Sequence, residues 1–312
     1  MRAVVTGGAG FIGSNLVDAL VARGAEVLVL DNLSRGSTAN LAGSPDAELA
    51  EIDIRDAEAV RKAVTAFRPD VLCHLAAQID VRVSMAEPAL DATTNVVGSI
   101  NVLDAAHEAG VRRVVNTSTG GAIYGETATV PTPETVPAAP LSPYGMSKRT
   151  VETYGAWFRA ARGLDVVTLR YGNVYGPRQD PRGDAGVIAI FCECALAGRR
   201  PTIFGDGAQT RDYVFVGDIV RANLAAIDAT DLRHDVYNVG TGTEVDLLTL
   251  AEQVRLAAGL GSFEPVLAAP RAGEVLRSCL DVSRARTELG YAAQTSLVDG
   301  LAATLAWIRT LD

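Results

Sequence analysis

The chain has 312 residues, of which 48% are hydrophobic and 21% charged, and its formal net charge is −9. This length and apolar content suffice for a large core, arranged as one large domain or two closely packed ones. The uniformly acidic balance argues against non-specific binding to nucleic acid or to an anionic membrane. An anionic substrate would therefore need a local cluster of arginines.

The chain has only three histidines and four cysteines, which leaves little for a metal site. The cysteines lack zinc-finger spacing and are too few for a disulfide scaffold, so we interpret them as small core residues. The N-terminus enters an apolar strand directly, without a basic region or a cleavage site. No apolar run is long enough to span a bilayer, and we expect a soluble cytoplasmic protein.

The first predicted element is a short apolar strand, 2–6, followed at once by a glycine-rich turn and an amphipathic helix. This order is typical of a dinucleotide-binding unit, although the spacing is G-x-x-G-x-x-G rather than G-x-G-x-x-G. Gly7 allows the tight turn, Gly10 lets the backbone approach a pyrophosphate, and Gly13 lets helix and strand pack closely. The phosphates would then bind at the helix N-terminus.

Asp31 ends the second strand, where an acidic side chain can hydrogen-bond the adenosine ribose. Its carboxylate would repel a 2′-phosphate, which favours NAD over NADP, although nearby Arg35 keeps NADP open. A simple turn residue is the alternative interpretation of Asp31. Asp53 closes a third strand and could contact the adenine edge, and Asp56 is typical of a cap for the helix 57–67.

Strands at 70–78 and 111–116 and a helix at 95–109 continue the alternation, which predicts a parallel, doubly wound sheet. Strand 70–78 ends in small residues that would let a cofactor pass closely. Its His74 is more typical of a satisfied core histidine than of a catalyst. The segment 117–125 offers hydroxyl groups to a substrate alcohol, or else forms a Ser/Thr-rich turn.

Ser142 and Pro143 are typical of a helix start, and apolar residues recur from there to about residue 161. Tyr144 and Lys148 share one face of this helix because they are four residues apart. Tyrosine has a pKa near ~10, and a neighbouring ammonium favours its phenolate. Lys148 and a cationic nicotinamide could together let Tyr144 take a proton from an alcohol. The alternative is an exposed lysine beside a packed tyrosine.

After a strand at 164–171 the chain becomes richer in polar, glycine and proline residues. We predict a helix at 185–197, a strand at 213–216 leading to a helix from Asp218, a strand and turn at 236–242, and a last helix at 297–309.

These motifs together resemble the extended short-chain dehydrogenase/reductase family, in its UDP-glucose 4-epimerase branch. The resemblance covers nearly the whole chain, through segments 6–13, 31–33, 74–78, 144–148, 170–181, 204–207, 210–216, 237–242 and 271–277. It implies an α/β fold: a Rossmann-type doubly wound parallel sheet with a smaller C-terminal α/β substrate-binding domain. Residues 1–172, with 213–240 returning to them, would bind NAD. Residues 173–212 and 241–312 would bind a nucleotide sugar.

The resemblance also implies tightly held NAD, with Lys148 bridging the nicotinamide ribose hydroxyls and lowering the pKa of Tyr144. The expected cofactor-binding residues are Gly7, Gly10, Phe11, Ile12, Gly13, Asp31, Asn32, Asp53, Ile54, Leu75, Ala76, Ala77, Gln78, Asn95, Tyr144, Lys148 and Tyr171.

The implied substrate is a nucleotide-diphosphate sugar, with a UDP-hexose as the first expectation. Tyr144 would remove the 4-hydroxyl proton while hydride passes to NAD, and the 4-keto sugar would turn over and be reduced on its other face. Arginine forks would neutralise the diphosphate, as the acidic overall charge requires. The expected substrate-binding residues are Asn173, Val187, Ile203, Phe204, Arg211, Arg271 and Glu274.

Two departures from the family pattern bear on the mechanism. Gly120 stands where the family commonly has Ser or Thr, so Ser118 or Thr119 would supply the hydroxyl, or Tyr144 and a water would act alone. No acid occurs in 120–122, which disfavours dehydratase and decarboxylase chemistry. Val187 replaces an asparagine that some epimerases place near the sugar.

Several alternatives stay open. The sugar could be a UDP-N-acetylhexosamine, UDP-glucuronate or a dTDP-hexose, or the reaction could be a net oxidoreduction with exchangeable cofactor. A cofactor-sensing protein without turnover would have no use for the Tyr/Lys pair. We also expect a homodimer built from the helices at 95–109 and 143–161.

Overall fold

The computed structural model describes residues 1–181, 186–270 and 275–311. Its strands are β1 (Arg2–Thr6), β2 (Glu26–Asp31), β3 (Glu48–Glu51), β4 (Val71–His74), β5 (Arg113–Thr119), β6 (Asp165–Tyr171), β7 (Asn173–Tyr175), β8 (Thr202–Phe204), β9 (Thr210–Arg211), β10 (Tyr213–Phe215), β11 (Val236–Val239), β12 (Val245–Asp246), β13 (Val266–Ala268) and β14 (Arg277–Ser278). Its helices are α1 (Phe11–Ala22), α2 (Ala57–Phe67), α3 (Val81–Ala86), α4 (Pro88–Ala92), α5 (Gly98–Glu108), α6 (Pro143–Arg162), α7 (Val187–Leu196), α8 (Val216–Asp228), α9 (Leu247–Ala258), α10 (Ser283–Leu289) and α11 (Leu297–Ile308).

Seven parallel strands form the central sheet, in the order β11-β6-β5-β4-β1-β2-β3. The predicted α/β class with a doubly wound parallel sheet is therefore confirmed. The strand order reverses between β1 and β4, and ligands of such sheets bind outside the carboxyl ends of the strands at that point. The residues that follow β1, β4 and β5 consequently surround the candidate site.

Both faces of the sheet are covered by helices. Val5 of β1 belongs to a buried cluster with residues of α1 and α8, whereas its neighbour Val4 packs with residues of α2, α5 and α6. A strand buried on both faces needs an unbroken apolar sequence. Residues 3–5 of β1, Ala-Val-Val, provide one. The apolar sequence of β1 thus agrees with a sheet that helices cover on both faces.

The glycine turn after β1 adopts the close packing that its sequence predicts. Gly7 has a positive φ of +69°, and a Cβ there would lie 2.7 Å from the backbone nitrogen of Ala76. A Cβ on Gly13 would lie 2.1 Å from the carbonyl oxygen of Gly7. Only glycine therefore lets α1 begin this close to the end of β1.

The helix that carries the Tyr/Lys pair forms almost as predicted, over Pro143–Arg162. The Ser142 hydroxyl accepts a hydrogen bond from the Gly145 N–H at 3.2 Å, and Gly163 ends the helix with φ +71°. For the predicted helix at 95–109, the predicted first residue was wrong. Helical structure begins at Pro88 and passes through a π turn, Thr93–Val97, before α5, because proline at the first position starts a helix where apolar periodicity is weak.

A third cluster of buried residues lies in the C-terminal part, between α7, α9 and α11 and the strands β7 and β10. Around it are the parallel pairs β7–β10 and β8–β13 and the three-stranded sheet β12-β9-β14. Strand β11 meanwhile lies at the edge of the central sheet, hydrogen-bonded to β6. The division of the chain into two binding domains stays a prediction.

All four cysteines are buried and unpaired, as expected for small core residues: Cys73, Cys192, Cys194 and Cys279. Within the described ranges, none of the helices has the length and apolar character needed to cross a membrane.

Gly300 in α11 offers a direct test of the C-terminal core. A Cβ there would lie 2.1 Å from the Tyr175 hydroxyl oxygen and 2.7 Å from its Cζ. We predict that Gly300→Ala lowers the free energy of unfolding by about 1–3 kcal/mol through overpacking, although alanine is the better helix former. Gly261→Ala is the control, because nothing lies within 4 Å of its added Cβ. Chemical denaturation that found Gly300→Ala as stable as the control would contradict this packing.

Candidate active site

Helix α6 brings Tyr144 and Lys148 against the carboxyl end of β5. Lys148 is 6% exposed, and its Nζ donates a hydrogen bond to the carbonyl oxygen of Thr117 at 3.0 Å. Tyr144 is half-buried, and its hydroxyl is hydrogen-bonded to the side chain of Thr119. The two residues of the pair therefore contact residues 117 and 119 of one strand, and the interpretation of an exposed lysine is wrong.

The protein environment acts on the two groups in opposite directions. Burial lowers the pKa of Lys148 to about 8, while the carboxylates of Asp91 and Glu152 oppose that change. Burial, then the charge of Asp91, raises the pKa of Tyr144 to about 12, and its hydrogen bond with Thr119 opposes this. In the polypeptide without NAD the pKa of Tyr144 is therefore raised despite Lys148, and the joint effect of Lys148 and a bound nicotinamide stays a prediction. A further cation beside the phenol is needed to make it a base.

The structure separates the two candidate hydroxyls that precede Gly120. Thr119 contacts Tyr144, whereas the Ser118 hydroxyl donates to Glu152 Oε1 at 2.7 Å inside the protein. Successive side chains of a strand point to opposite faces, so only one of the two can meet Tyr144. A Cβ on Gly120 would lie 2.5 Å from Leu280 Cδ1, so a side chain at that position would require Leu280 to move.

A buried ion pair supports the strand behind the catalytic helix. Arg170 donates to both carboxylate oxygens of Glu152, at 2.8 and 2.6 Å, and both side chains are less than 5% exposed. The same guanidinium donates to the Tyr124 hydroxyl at 2.7 Å. Sequence reasoning missed Glu152, although its spacing of four residues after Lys148 places it on the same helix face.

The carboxyl end of β2 carries the groups expected at the adenosine. Asp31 accepts hydrogen bonds from the backbone N–H groups of Ala9 at 3.0 Å and Leu33 at 2.8 Å, and so ties the glycine turn to β2. Asn32 donates to Asp53 at 2.9 Å. Arg55 pairs with Asp53 at 2.7 Å and holds the pKa of that carboxyl far below its usual range. Asp31, Asn32 and Asp53 are thus brought together as predicted.

The N-terminal turn of α1 fits the phosphates of a dinucleotide. Its N-cap is Gly10, which has no side chain to accept from the N–H groups of Phe11 and Ile12. Those donors and the helix dipole remain for an anion, and the glycine contacts described above leave no room for a Cβ. After β4, the half-buried residues Leu75, Ala76, Ala77 and Gln78 continue along the same crevice.

The side chains of Asn95 and Tyr171 are buried. Asn95 is 2% exposed, and its amide accepts from the Gln78 N–H at 2.8 Å and donates to the Gln78 carbonyl at 2.9 Å. The Tyr171 hydroxyl lies in the core, where it accepts from Asn223 at 2.7 Å. Ile54 is also buried, against Gly98. All three side chains are thus buried within the protein, and their contact with the cofactor stays a prediction.

His74 is a core residue, as its sequence context indicated. Its ring nitrogens hydrogen-bond the Thr6 and Ser99 hydroxyls at 2.7 and 2.8 Å. Burial, and then the nearby Lys148, lowers the pKa of His74 to about 3, so the ring is neutral at neutral pH. Within the described residues, no three His, Cys, Asp or Glu side chains are grouped so that they could hold a metal ion.

The residues expected to bind the substrate are only partly brought together. The Asn173 Oδ1 atom is buried without a hydrogen-bond partner in the described structure, as is typical of a group that awaits a ligand. Val187, Phe204 and Arg211 are half-buried, whereas the Ile203 side chain is 1% exposed and packs in the C-terminal core. Arg271 and Glu274 lie outside the described residues.

A doubly wound sheet with a glycine turn at its reversal point, and a Tyr/Lys pair beside it, defines a dinucleotide-dependent enzyme acting on alcohols and ketones. Residues 3–240 match the NAD dependent epimerase/dehydratase family. The chain belongs to this family, and its cofactor is NAD.

Similar proteins cover the chain from end to end. The UDP-glucose 4-epimerase of Mycolicibacterium smegmatis is 46% identical over 99% of both chains. The crystal structure of the Thermotoga maritima UDP-glucose 4-epimerase with UDP-glucose has a TM-score of 0.96 and 46% identity, over 100% of both chains. That of the Thermus thermophilus UDP-glucose 4-epimerase with NAD has a TM-score of 0.92 and 42% identity, over 99% of both chains.

The separation of the two hydroxyls can be tested by stability. Ser118→Ala removes a donor from the buried Glu152 carboxylate, so we predict a loss of about 1–3 kcal/mol in the free energy of unfolding. Thr119→Val removes a half-buried hydroxyl and should cost at most about 1 kcal/mol. Both variants should retain NAD. Denaturant titration that ranked the two losses in the reverse order would contradict the orientation of β5.

Proposed function

We propose that this protein interconverts UDP-glucose and UDP-galactose by inverting carbon 4 of the sugar. The observation that carries the proposal is the meeting of the Tyr144 and Thr119 side chains beside the buried Lys148. The absence of an acid in the sequence 120–122 favours epimerisation over dehydration. Dehydration would need an acidic side chain there for chemistry at sugar carbons beyond carbon 4. The likeness to UDP-glucose 4-epimerases over the full chain also supports it.

NAD, when bound, supplies the acceptor and then the donor of the hydride on carbon 4. Tyr144 takes the proton of the 4-hydroxyl and returns it to the same oxygen once the keto sugar has turned and carbon 4 is reduced on its opposite face. Its pKa of about 12 means that it is protonated at neutral pH until a cation lies beside it. Thr119 orients the phenol through their hydrogen bond. The lysine ammonium has three donors, of which one is used on Thr117, so two remain for ribose hydroxyls.

The diphosphate of the substrate requires positive charge in a chain whose net charge is −9. In our proposal Arg211 and Arg271 bind it, because the guanidinium fork matches phosphate oxygens. The unpartnered Oδ1 atom of Asn173 offers an acceptor to the substrate near its phosphates. Glu274 binds the uridine ribose, and Val187 and Phe204 line the sugar and base.

The preferred sugar is tested by product stereochemistry. The protein is incubated with UDP-glucose, UDP-N-acetylglucosamine, UDP-glucuronate and dTDP-glucose, and each product is identified by NMR. We expect inversion at carbon 4 of UDP-glucose without added NAD, because we expect the cofactor to stay bound through gel filtration. A need for added NAD, with a keto sugar released as product, would instead establish a net oxidoreductase.

Tyr144→Phe removes the proposed base and keeps the ring. We predict that turnover falls by at least about 10²–10⁴-fold, the range typical of a lost acid–base group, while NAD stays bound. Tyr154→Phe is the matched control, because this tyrosine lies on the same helix with 38% of its surface exposed. A coupled UDP-galactose assay that found Tyr144→Phe as active as this control would remove the mechanism.

We also propose that two copies of the chain associate through the helices at 95–109 and 143–161. Large apolar side chains are exposed on them: Val97, Met146, Tyr154 and Trp157. Met85 of α3, which contacts α6, is exposed as well. Several exposed large apolar side chains on packed neighbouring helices favour an interface between subunits. A cytoplasmic location agrees with the proposal, because four unpaired thiols persist in a reducing compartment.

Trp157→Glu tests this interface, because it places a charge among the apolar side chains. We predict that light scattering finds a dimer for the natural chain and a monomer for Trp157→Glu. Val298→Glu is the control: Val298 is similarly exposed, at 54% against 47% for Trp157, but lies on α11. A monomeric natural chain, or equal dimerisation of both variants, would contradict this assignment of the interface.

A further inference from the structure

Asp91 of α4 is a fully buried carboxylate, with 0% of its surface exposed. The hydrogen bonds that it accepts in the described structure come from neutral donors. They are the Ser147 hydroxyl at 2.6 Å, the Gln78 amide at 2.9 Å and the Asn95 amide at 3.0 Å. Sequence reasoning did not single out Asp91, because its residue type is common at helix starts.

These three bonds connect Asp91 to both sides of the crevice. Ser147 lies on α6 between Tyr144 and Lys148, so its bond to Asp91 fixes the helix turn that carries the pair. Gln78 follows β4, where the backbone passes the cofactor site, and Asn95 holds the same backbone from the other side. Asp91 therefore joins the Tyr/Lys helix to the cofactor-facing loop.

A buried carboxylate without a cation in contact is costly, and an asparagine could accept some of the same hydrogen bonds at lower cost. Retaining the charge makes physical sense only if a buried cation lies close enough to benefit. Lys148 is the buried ammonium near Asp91, and the carboxylate opposes the effect of burial on that lysine.

We propose that Asp91 is a positioning residue whose charge keeps Lys148 protonated and keeps Tyr144 in the phenol form until a cation lies beside it. The inference rests on the function proposed above. It assigns Asp91 no contact with the substrate and no share in the bond-making steps. Its effect reaches the reaction through the protonation of the two residues on α6.

Other charged groups around the pair do not replace Asp91. Glu152 faces Lys148 from the same helix, but Arg170 already neutralises it. His74 on β4 is neutral, as described above. On α3, Asp80 lies at the helix start, where it accepts from the Arg82 and Val83 N–H groups. Asp91 is thus the carboxylate that acts on both members of the pair.

The sign of the effect follows from the charge. Removing a negative charge makes deprotonation easier, so Asp91→Asn should lower the pKa of Lys148 and of Tyr144 together. The rate depends on a protonated lysine and on a tyrosine that can lose its proton. The acid and alkaline limbs of the kcat profile should therefore both move to lower pH.

The chain has only two lysines, Lys62 and Lys148, which allows a direct test that does not depend on turnover. Protein labelled with 13C at the lysine ε-carbon is titrated by NMR, with and without saturating NAD, and the exposed Lys62 serves as the reference signal. Lys148 should titrate near pH 8 in the natural protein without NAD. In Asp91→Asn it should titrate at lower pH.

Ser147→Ala is the matched control, because it breaks a hydrogen bond to Asp91 and keeps the charge. A lower kcat in this variant is compatible with the proposal. Its Lys148 titration and its pH profile should coincide with those of the natural protein. Asp91→Ser removes the same charge and replaces the Asn variant if that one fails to fold. An unmoved Lys148 titration in the charge-removing variants, or an equal shift in Ser147→Ala, overturns the proposal. If the Lys148 titration shifts but the protein has no epimerase activity, the proposed role of Asp91 is supported and only the proposed function is contradicted.

Discussion

The buried hydrogen bond from the Lys148 ammonium to the Thr117 carbonyl is the contact on which the site depends. A lysine loses much hydration when it is buried, and the strand carbonyl and two nearby carboxylates compensate for part of that loss. The bond fixes the rotation of α6 about its axis. Because Tyr144 lies one turn earlier on the same face, that rotation also places its hydroxyl beside Thr119.

Other buried polar groups hold this arrangement from behind. Glu152 connects α6 to β5 through Ser118 and to β6 through Arg170, so the helix cannot slide along the sheet without breaking charged hydrogen bonds. Asp91 makes the equivalent connection to the loop after β4. The protein by itself leaves the Tyr144 phenol protonated at neutral pH, which suits an enzyme whose base should form only when its cationic cofactor is in place.

Local patterns in the sequence were sufficient to predict the central sheet and α6. Unbroken apolar strands, glycine turns and a Ser-Pro helix start are each recognisable within a few residues. The start of the helical segment before α5 was missed, since the Thr-Thr-Asn stretch of the π turn has no clear period. The roles of Asp91, Glu152 and Thr119 depend on contacts between distant segments. Spacing could not distinguish Ser118 from Thr119, because the facing direction of a strand residue is set by the whole sheet.

The central claim is that one phenol on α6 removes and restores a proton while carbon 4 of a nucleotide sugar is oxidised and reduced within one closed site. The most direct measurement uses UDP-glucose that carries deuterium on carbon 4. NMR and mass spectrometry then follow the label in the UDP-galactose formed. The account predicts that the deuterium stays on carbon 4 with inverted configuration. Loss of the label to solvent would contradict the account.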